Sequence, residues 1–453
     1  MRGLLGTVLD GLAGGAAARG GPLPAGGPAV TAERLRHAVQ PLLPDTGAGP
    51  HDALRALVTA LAAGAADPAH PHCAAHLHCP PLAVAVAADL AASALNPSMD
   101  SWDQAPAASA LEEALTRTLA AEIHPDTPHP DALVTTGGTE SNQLALLLAR
   151  EKHAHHGPVQ LVVGANAHHS LSRAAWLLGL PDPVVVPAPA GTLDLAALDE
   201  ALTRLHRPLL VAATAGTTDT GQLDPIPEIA DLCDRYGADL HIDAAYGGPL
   251  LLSPTHRHLL HGIDRAHTLT LDLHKLGWQP VAAGLLAVPD TRALDCLTHQ
   301  ADYLNADDDT DAGIPDLLGR SLRTTRRPDI LKIAVTFKAL GRDGLADLVD
   351  RTLAAAHTLA DLVEKDPALE LHDRPALSTV LFRPTASTDE DVAALRRRLL
   401  HEGRAVLGRT RADGRLWLKA TLLNPHTTPH DLETLLAHVH APASSDPPHP
   451  PGC

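Results

Sequence analysis

Short runs of apolar and β-branched residues alternate with longer Ala- and Leu-rich segments through the middle of the chain. Each short run is closed by Gly, Thr or Asp, which is typical of a strand that leads into a helix. This alternation predicts an α/β domain whose mostly parallel sheet is covered by helices. The runs predict seven strands, at residues 133–136, 161–163, 184–186, 209–214, 240–243, 268–272 and 285–288.

The pattern changes after Arg326. A long helical pattern over residues 330–363 precedes two strand-like runs, at 378–383 and 416–421, with a helix over 389–402 between them. These elements predict a smaller α+β domain. We therefore expect an N-terminal arm and helical segment (1–67), a large α/β domain (68–325), a small C-terminal domain (326–440) and a disordered Pro-rich tail (441–453).

The first 30 residues begin like a secretory signal, but Asp10 interrupts the apolar stretch and no sustained apolar segment follows. We therefore expect residues 1–30 to form a retained, partly mobile arm. No apolar run approaches the roughly 20 residues that a membrane helix requires.

The chain of 453 residues carries 35 Lys and Arg against 53 Asp and Glu, a formal net charge of −18. Because the sequence contains no Lys/Arg run, this balance argues against nucleic acid or an anionic membrane as a partner. The five cysteines, at positions 73, 79, 233, 296 and 453, are too few and too scattered for a disulfide framework. We therefore expect a cytoplasmic protein.

A glycine-containing turn follows the first predicted strand, in the segment Thr135-Thr136-Gly137-Gly138-Thr139-Glu140-Ser141-Asn142. Glycines allow the backbone to approach an anion closely, and the N–H groups at the start of the next helix suit a phosphate. The same residues also suit a tight strand-to-helix connection with Thr139 as the helix cap. The residues alone leave both interpretations open.

Two later strands end beside chemically useful side chains. Asp243 ends the strand at 240–243, where it suits either a helix cap or a carboxylate that faces a ligand. The strand at 268–272 is followed by His274 and Lys275 in an apolar stretch. Burial favours the neutral form of a lysine amine and therefore Schiff-base chemistry. Two consecutive strands thus deliver an acid and an amine to one edge of the sheet.

Together these segments resemble the group II pyridoxal-phosphate-dependent amino-acid decarboxylases over about residues 68–440. The resemblance rests on the Gly-Gly-Thr-Glu-Ser-Asn turn, Ala167-His168, Gly216-Thr217-Thr218, Asp243-Ala244-Ala245-Tyr246 and His274-Lys275. Further segments are similar to the L-2,4-diaminobutyrate and siderophore-type lysine decarboxylases, namely Ser101-Trp102-Asp103-Gln104, Thr324-Thr325-Arg326-Arg327 and Gly408-Arg409-Thr410-Arg411. The resemblance implies fold type I, pyridoxal 5'-phosphate as cofactor and amino-acid decarboxylation.

The resemblance also implies roles for individual residues. Lys275 would hold the cofactor in a Schiff base, and Asp243 would pair with its pyridine nitrogen. His168 would stack on the ring, and Ala245 would lie against the other face. The remaining implied contacts are Gly138 and Thr139 to the phosphate, Thr218 near the ring oxygen, and His274 beside the lysine.

A cluster of histidines and cysteines at residues 70–81 invites a metal interpretation. We expect no metal site, because the cluster lacks the second group of ligands that zinc sites usually require. The resemblance implies instead that this segment lies at the substrate entrance, with His76 and His78 near the substrate side chain. It also implies a substrate contact for Trp102.

The resembling aromatic decarboxylases donate a proton from a loop tyrosine, which the corresponding segment at 307–323 lacks. Tyr303, His168 and Tyr246 remain as candidate donors. Three functions stay open: a decarboxylase of a cationic amino acid, an aromatic decarboxylase or aldehyde synthase, and a non-catalytic protein of the same fold. An amine product would indicate a decarboxylase, whereas an aldehyde product would indicate an aldehyde synthase.

Five carboxylates at residues 307–316, with Asp329 behind them, suit either a solvated surface or a loop that closes over the site. A closed acidic loop would favour a substrate with a distal ammonium, such as 2,4-diaminobutyrate or lysine. The resemblance further implies a homodimer in which one subunit completes the active site of the other.

Overall fold

The computed structural model describes residues 1–206, 208–299, 301 and 304–442. The chain packs into two compact units: a central unit, Pro81–Arg351, and a terminal unit formed by Met1–Pro80 with the residues from Thr352 onward. This division differs from the boundaries at 67/68 and 325/326 expected from the sequence, because one long helix, Ile330–Lys365, contributes to both units. Residues 443–453 of the predicted tail lie outside the described residues.

The described helices are α1 (Arg2–Arg19), α2 (Gly27–Val39), α3 (Pro50–Gly64), α4 (Ala83–Leu95), α5 (Pro106–Ile123), α6 (Gly138–Lys152), α7 (His169–Leu177), α8 (Leu195–Arg204), α9 (Ile226–Tyr236), α10 (Asp307–Asp311), α11 (Ile330–Lys365), α12 (Asp389–His401) and α13 (Pro429–His440). The described strands are β1 (Cys73–Ala74), β2 (Asp131–Thr135), β3 (Gln160–Gly164), β4 (Val184–Val186), β5 (Leu209–Thr214), β6 (Asp239–Ala244), β7 (Thr268–Asp272), β8 (Gly284–Val288), β9 (Leu369–Leu371), β10 (Thr379–Pro384), β11 (Val406–Ala412) and β12 (Arg415–Thr421).

The central unit contains a seven-stranded sheet in the order β2-β8-β7-β6-β5-β3-β4. Only β8 runs antiparallel to its neighbours in this sheet, so the predicted α/β fold with a mostly parallel sheet is confirmed. All seven predicted strands are present, and those at 184–186, 209–214 and 268–272 have the expected bounds. Their apolar runs are continuous because helices cover both faces of such a sheet.

The parallel strands β5, β6 and β7 bring their carboxyl ends to one edge. Thr214 pairs with Asp243, and Asp243 pairs in turn with Thr270. Helix α6 packs beside these strands through Leu146 and Ala149, which share a buried core with Leu210. The carboxyl edge therefore receives Asp243 from β6 and Asp272 from β7.

The terminal unit contains a five-stranded sheet in the order β1-β11-β12-β10-β9. Its core joins the strands to α11, α12 and α13 through residues such as Leu359, Leu418 and Leu435. The predicted strands at 378–383 and 416–421 and the helix at 389–402 are present as β10, β12 and α12. The sequence did not predict β11, because its exposed Arg409 and Arg411 interrupt the apolar run.

The expected mobile arm at residues 1–30 is largely helical, because α1 packs on α3. A Cβ at Gly15 would lie 2.5 Å from the Cβ of Ala62 and 2.6 Å from the carbonyl oxygen of Thr59. The absence of a side chain at Gly15 thus permits close packing of α1 against α3. Arg19 ends α1 and donates to the carbonyl of Ala62 at 2.8 Å, which fixes the end of the helix.

None of the described helices combines the length and the apolar character needed to cross a bilayer.

Candidate active site

Asp243 is buried near the carboxyl end of β6, and two donors hold its carboxylate. Its Oδ1 accepts the backbone N–H of Ala245 at 3.1 Å. Its Oδ2 accepts Nδ2 of Asn142 at 2.8 Å. Because both oxygens are fixed, the carboxylate has one orientation at the edge of the sheet.

Asn142, from the first turns of α6, is fully buried and bonds to residues of three further elements. Its Nδ2 also donates to Oγ of Ser170 at 2.9 Å. Its Oδ1 lies 2.9 Å from Oγ1 of Thr270 and 3.0 Å from Nε2 of His241. Burial lowers the pKa of His241 to about 4, so this ring is neutral at physiological pH. The second ring nitrogen, Nδ1, lies 2.9 Å from Oγ1 of Thr268.

Lys275 lies just beyond β7, where its amine pairs with Asp272. The Nζ atom lies 3.0 Å from Oδ2 of Asp272, a side chain that is only 2% exposed. Nε2 of His274 lies 3.6 Å from the same oxygen. The other oxygen, Oδ1, is buried without a hydrogen-bond partner in the described part of the chain. Burial lowers the pKa of His274, although the charge of Asp272 acts against this shift.

The glycine turn places the start of α6 against these side chains. Gly137 caps the helix with φ 145°, and a Cβ there would lie 2.8 Å from Cε1 of His274. A Cβ at Gly138 would lie 3.0 Å from Cβ of Ala245 and 3.3 Å from Oδ2 of Asp272. Glycine is therefore required where the turn approaches the ends of β6 and β7. The interpretation of Thr139 as the helix cap is wrong, because Gly137 holds that position and Thr139 is exposed.

His168 precedes α7 and faces the same charges. Its Nδ1 lies 2.8 Å from Oγ of Ser170 and accepts the backbone N–H of that residue at 3.3 Å. Burial lowers the pKa of His168, while the nearby charge of Asp243 raises it and that of Lys275 lowers it. The structure thus brings His168 into the electrostatic environment of both residues.

The sequence-predicted residues differ in how closely they join this cluster. Gly138, His168, Asp243, Ala245, His274 and Lys275 meet at the carboxyl edge of the sheet. Thr218 is exposed in the loop after β5, and Trp102 is 41% exposed before α5. His76 and His78 follow β1 in the terminal unit. Partial burial lowers the pKa of His76, and the neighbouring positive charges of Lys419 and Arg396 lower it further.

Asp272 and Asn142 are site residues that the sequence analysis did not assign. Asp272 ends a buried strand as Asp243 does, so the same pattern could have indicated it. Asn142 belongs to the glycine-turn segment, but its contacts with Asp243 and His241 depend on residues about 100 positions away. No local pattern in the sequence predicts a contact between residues so far apart in the chain.

The predicted acidic loop includes α10, whose residues Asp308, Asp309 and Asp311 are exposed. Asp329, which the sequence placed behind this loop, accepts Nζ of the buried Lys332 at 3.0 Å. That ion pair neutralises Asp329, so the carboxylate does not add to the field of the loop. Tyr303 lies outside the described residues, and among those described no group of three or more His, Cys, Asp or Glu is arranged to hold a metal.

Comparisons with known proteins agree with this geometry. The model of the pyridoxal-dependent decarboxylase conserved domain matches residues 36–385. The chain is 40% identical over 411 residues to the L-2,4-diaminobutyrate decarboxylase of Rhizobium meliloti (strain 1021), covering 87% of this chain and 82% of the relative. It is 32% identical over 409 residues to the enzyme of that name from Acinetobacter baumannii, covering 83% and 80%.

A solved structure shows the same fold. It is the glutamate decarboxylase domain of the diaminobutyrate-pyruvate transaminase and L-2,4-diaminobutyrate decarboxylase from Vibrio parahaemolyticus, with a TM-score of 0.86 and 33% identity. The similarity covers 97% of this chain and 94% of that one. The chain therefore belongs to the pyridoxal-dependent decarboxylase family, and it is a pyridoxal-phosphate-dependent amino-acid decarboxylase.

Proposed function

We propose that the enzyme decarboxylates L-2,4-diaminobutyrate or a similar cationic amino acid, such as lysine, at the carboxyl edge of the central sheet. The observation that carries the assignment of this site is the pairing of Lys275 with Asp272 beside the fixed carboxylate of Asp243. An amine and two carboxylates at adjacent strand ends supply the groups that this chemistry needs. The diaminobutyrate assignment is supported by the names of the two relatives, at 40% and 32% identity.

The residues at this edge fit pyridoxal phosphate. Asp243 offers an ionisable carboxylate for the pyridine nitrogen, and Lys275 offers the amine for the aldehyde. The close approach of Gly138 to Ala245 and Asp272 leaves the first N–H groups of α6 available to an anion such as the phosphate. The buried Oδ1 of Asp272 is a further polar atom without a partner in the described structure, as expected where a ligand group completes the site.

When bound, pyridoxal phosphate would supply an electron-withdrawing ring able to accept the electron pair left by departing carbon dioxide. Asp243 would hold the ring nitrogen protonated through a charge-assisted hydrogen bond. Asp272 would keep the amine of Lys275 near the reacting atom when that amine is released. His168, whose pKa is lowered by burial, would present a neutral ring on which the cofactor can stack.

The substrate contacts remain part of this proposal. His76 is proposed to lie near the substrate side chain, and partial burial with the positive charges of Lys419 and Arg396 lowers its pKa. His78 and Trp102 are proposed to line the substrate entrance. The exposed carboxylates of α10 would select a distal ammonium only if the loop closes over the bound substrate.

The test is the release of carbon dioxide by the purified holoenzyme from a panel of amino acids. We expect 2,4-diaminobutyrate, ornithine or lysine to exceed tyrosine, and tyrosine to exceed glutamate, with an amine as product. Glutamate, aspartate or cysteine sulfinate as the best substrate would contradict the proposal, as would an aldehyde product.

The contribution of the acidic loop is tested by converting Asp307, Asp308 and Asp309 together to Asn. We expect a smaller difference in carbon dioxide release between cationic and other substrates, and a weaker dependence of that difference on salt concentration. A matched control converts three exposed carboxylates of the terminal unit, those of Asp361, Asp373 and Asp413, to Asn. If both triple variants changed the substrate preference equally, the preference would depend on the net charge of the protein and not on the acidic loop.

We also propose that the enzyme is a homodimer. Helix α4 exposes Val86, Leu90 and Leu95, although its opposite face is already buried through Ala85 and Ala88. A helix that is apolar on both faces suits burial between two subunits. Sedimentation velocity is expected to give a dimer, which Leu90→Asp weakens. A fully active monomer would contradict this proposal.

A cytoplasmic location is a further proposal, and it rests on the few scattered cysteines of the sequence. Cell fractionation of the producing organism tests it, and recovery of the enzyme outside the cytoplasm would contradict it.

A further inference from the structure

We infer that Asn142 is a positioning residue that uses one side-chain amide to fix both the carboxylate of Asp243 and the proton of the His168 ring. The inference rests on the proposed function of Asp243 and His168, and it adds a residue to which no role has been assigned. Its basis is the set of hydrogen bonds that converge on the buried end of the Asn142 side chain.

The orientation of the amide follows from its four neighbours. An ionised carboxylate can only accept hydrogen bonds, so the Asn142 atom 2.8 Å from Oδ2 of Asp243 must be the nitrogen. The second proton of that nitrogen goes to Oγ of Ser170 at 2.9 Å. The oxygen then accepts from the Thr270 hydroxyl and from Nε2 of His241. Both donors and both acceptor positions of the amide are used, and a flipped amide would place its oxygen against the carboxylate.

The hydrogen bonds that link Thr268, His241, Asn142 and Asp243 all have their donors oriented toward Asp243. His241 must carry its proton on Nε2 in order to donate to Asn142, so its Nδ1 accepts from the hydroxyl of Thr268. The ring is completely buried between two neutral groups, where a positive charge would be poorly solvated. The hydroxyl, the imidazole and the amide thus each donate toward the carboxylate. This arrangement stabilises the charge of Asp243 through a chain of neutral donors.

The other branch of the network fixes His168. The backbone N–H of Ser170 lies 3.3 Å from Nδ1 of His168, which favours Nδ1 as an acceptor but is too long a hydrogen bond to fix the tautomer alone. The Ser170 hydroxyl accepts a hydrogen bond from Nδ2 of Asn142 and donates one to the same Nδ1 at 2.8 Å. The neutral His168 ring therefore carries its proton on Nε2. Because Asn142 donates to both Ser170 and Asp243, it couples the tautomer of His168 to the orientation of the Asp243 carboxylate.

Four variants test the hydrogen bonds from Asn142 to Asp243 and from Ser170 to His168 separately. Asn142→Ala removes both, and Ser170→Ala removes only the hydroxyl that reaches His168. Ser141→Ala is the matched control, since Ser141 is a buried residue of the same helix whose hydroxyl contacts Thr135 and the carbonyl of Leu285, outside this network. Thr270→Val withdraws one donor to Asn142 and serves if Asn142→Ala does not fold.

The first measurement is 15N NMR of the histidine rings in cofactor-free protein, with His168 assigned through His168→Gln. We expect the Nε2–H form of His168 in the wild type and in Ser141→Ala. We expect a mixture of both tautomers in Asn142→Ala and Ser170→Ala. A single unchanged tautomer in both of these variants would overturn the His168 branch. This measurement does not depend on the reaction, so it stays informative even if the proposed function fails.

The second measurement is 15N NMR of enzyme loaded with ring-labelled pyridoxal phosphate, as a function of pH. The ring nitrogen should lose its proton at lower pH in Asn142→Ala, less so in Thr270→Val, and as in the wild type in Ser170→Ala and Ser141→Ala. The kcat of Asn142→Ala should fall about 10- to 100-fold, the effect of one hydrogen bond to a charged group. A wild-type protonation profile in both Asn142→Ala and Thr270→Val would overturn the Asp243 branch. Failure of the wild type to bind the cofactor or release carbon dioxide would instead contradict the proposed function.

Discussion

Replacement of Asp243 by Asn tests the electrostatic part of the site most directly, because the substitution changes charge and hydrogen bonding with little change of shape. The carboxylate accepts from Ala245 through one oxygen and from Asn142 through the other. In Asp243→Asn one of these oxygens becomes an NH2 group that faces a donor. The variant therefore loses one hydrogen bond in either orientation of its amide.

The expected magnitudes follow from this geometry. One buried donor without an acceptor lowers the free energy of unfolding by about 1–3 kcal/mol. Loss of one preorganised charge from an active site typically lowers kcat roughly 10²- to 10³-fold. We therefore expect a folded variant that binds the cofactor with modestly reduced affinity and has lost most of its turnover.

The assay combines carbon dioxide release at saturating cofactor with a denaturant unfolding curve. Asp224→Asn is a matched control, because Asp224 is equally buried and accepts the N–H groups of Leu193 and Thr214 as well as Nδ2 of Asn166. The control should lose stability but keep its turnover. Near-normal turnover of Asp243→Asn, or an equal loss in Asp224→Asn, would refute the assignment of Asp243.

Three further predictions follow from the structure. Lys275→Ala should keep its circular dichroism spectrum but lose the covalent attachment of pyridoxal phosphate, and a labelled peptide found elsewhere after borohydride reduction and mass spectrometry would contradict the assignment of the lysine. Folding lowers the pKa of His241 from 6.5 to about 4, so at low pH the unfolded chain takes up a proton that the folded chain excludes. The free energy of unfolding should therefore fall by up to roughly 3 kcal/mol as the pH drops from about 6.5 to 4. His241→Gln should flatten this part of the plot of unfolding free energy against pH, whereas substitution of the exposed His440 by Gln should not. Glu112→Gln should lower the free energy of unfolding by about 3–5 kcal/mol, because the side chains of Arg326 and Glu112 in this ion pair are only 1% and 4% exposed. Glu370→Gln breaks a solvent-exposed pair with Arg415 and should lower it by about 1 kcal/mol or less. Equal losses in the two variants would contradict this reasoning.

The sequence by itself determined the fold and much of the site. The strands β5, β6 and β7 are buried on both faces, so their apolar runs are visible without knowledge of their partners. Because consecutive parallel strands end at the same edge, the positions of Asp243 and Lys275 in the chain already placed them near each other. The glycines of the turn at the start of α6 were identifiable for the same local reason.

Only the tertiary structure decided which groups control these residues. Asn142 and Asp243 are 101 positions apart, and their hydrogen bond exists because α6 packs against β6 and β7. Asp329 looked like part of an acidic surface until the fold placed the buried amine of Lys332 against it. Residues 1–30 are expected from the sequence to form a partly mobile arm, and only the fold shows α3 packed against α1 at Gly15. Strand and helix periodicity is local and is written in the sequence, whereas the partner of a buried polar group depends on contacts between distant segments.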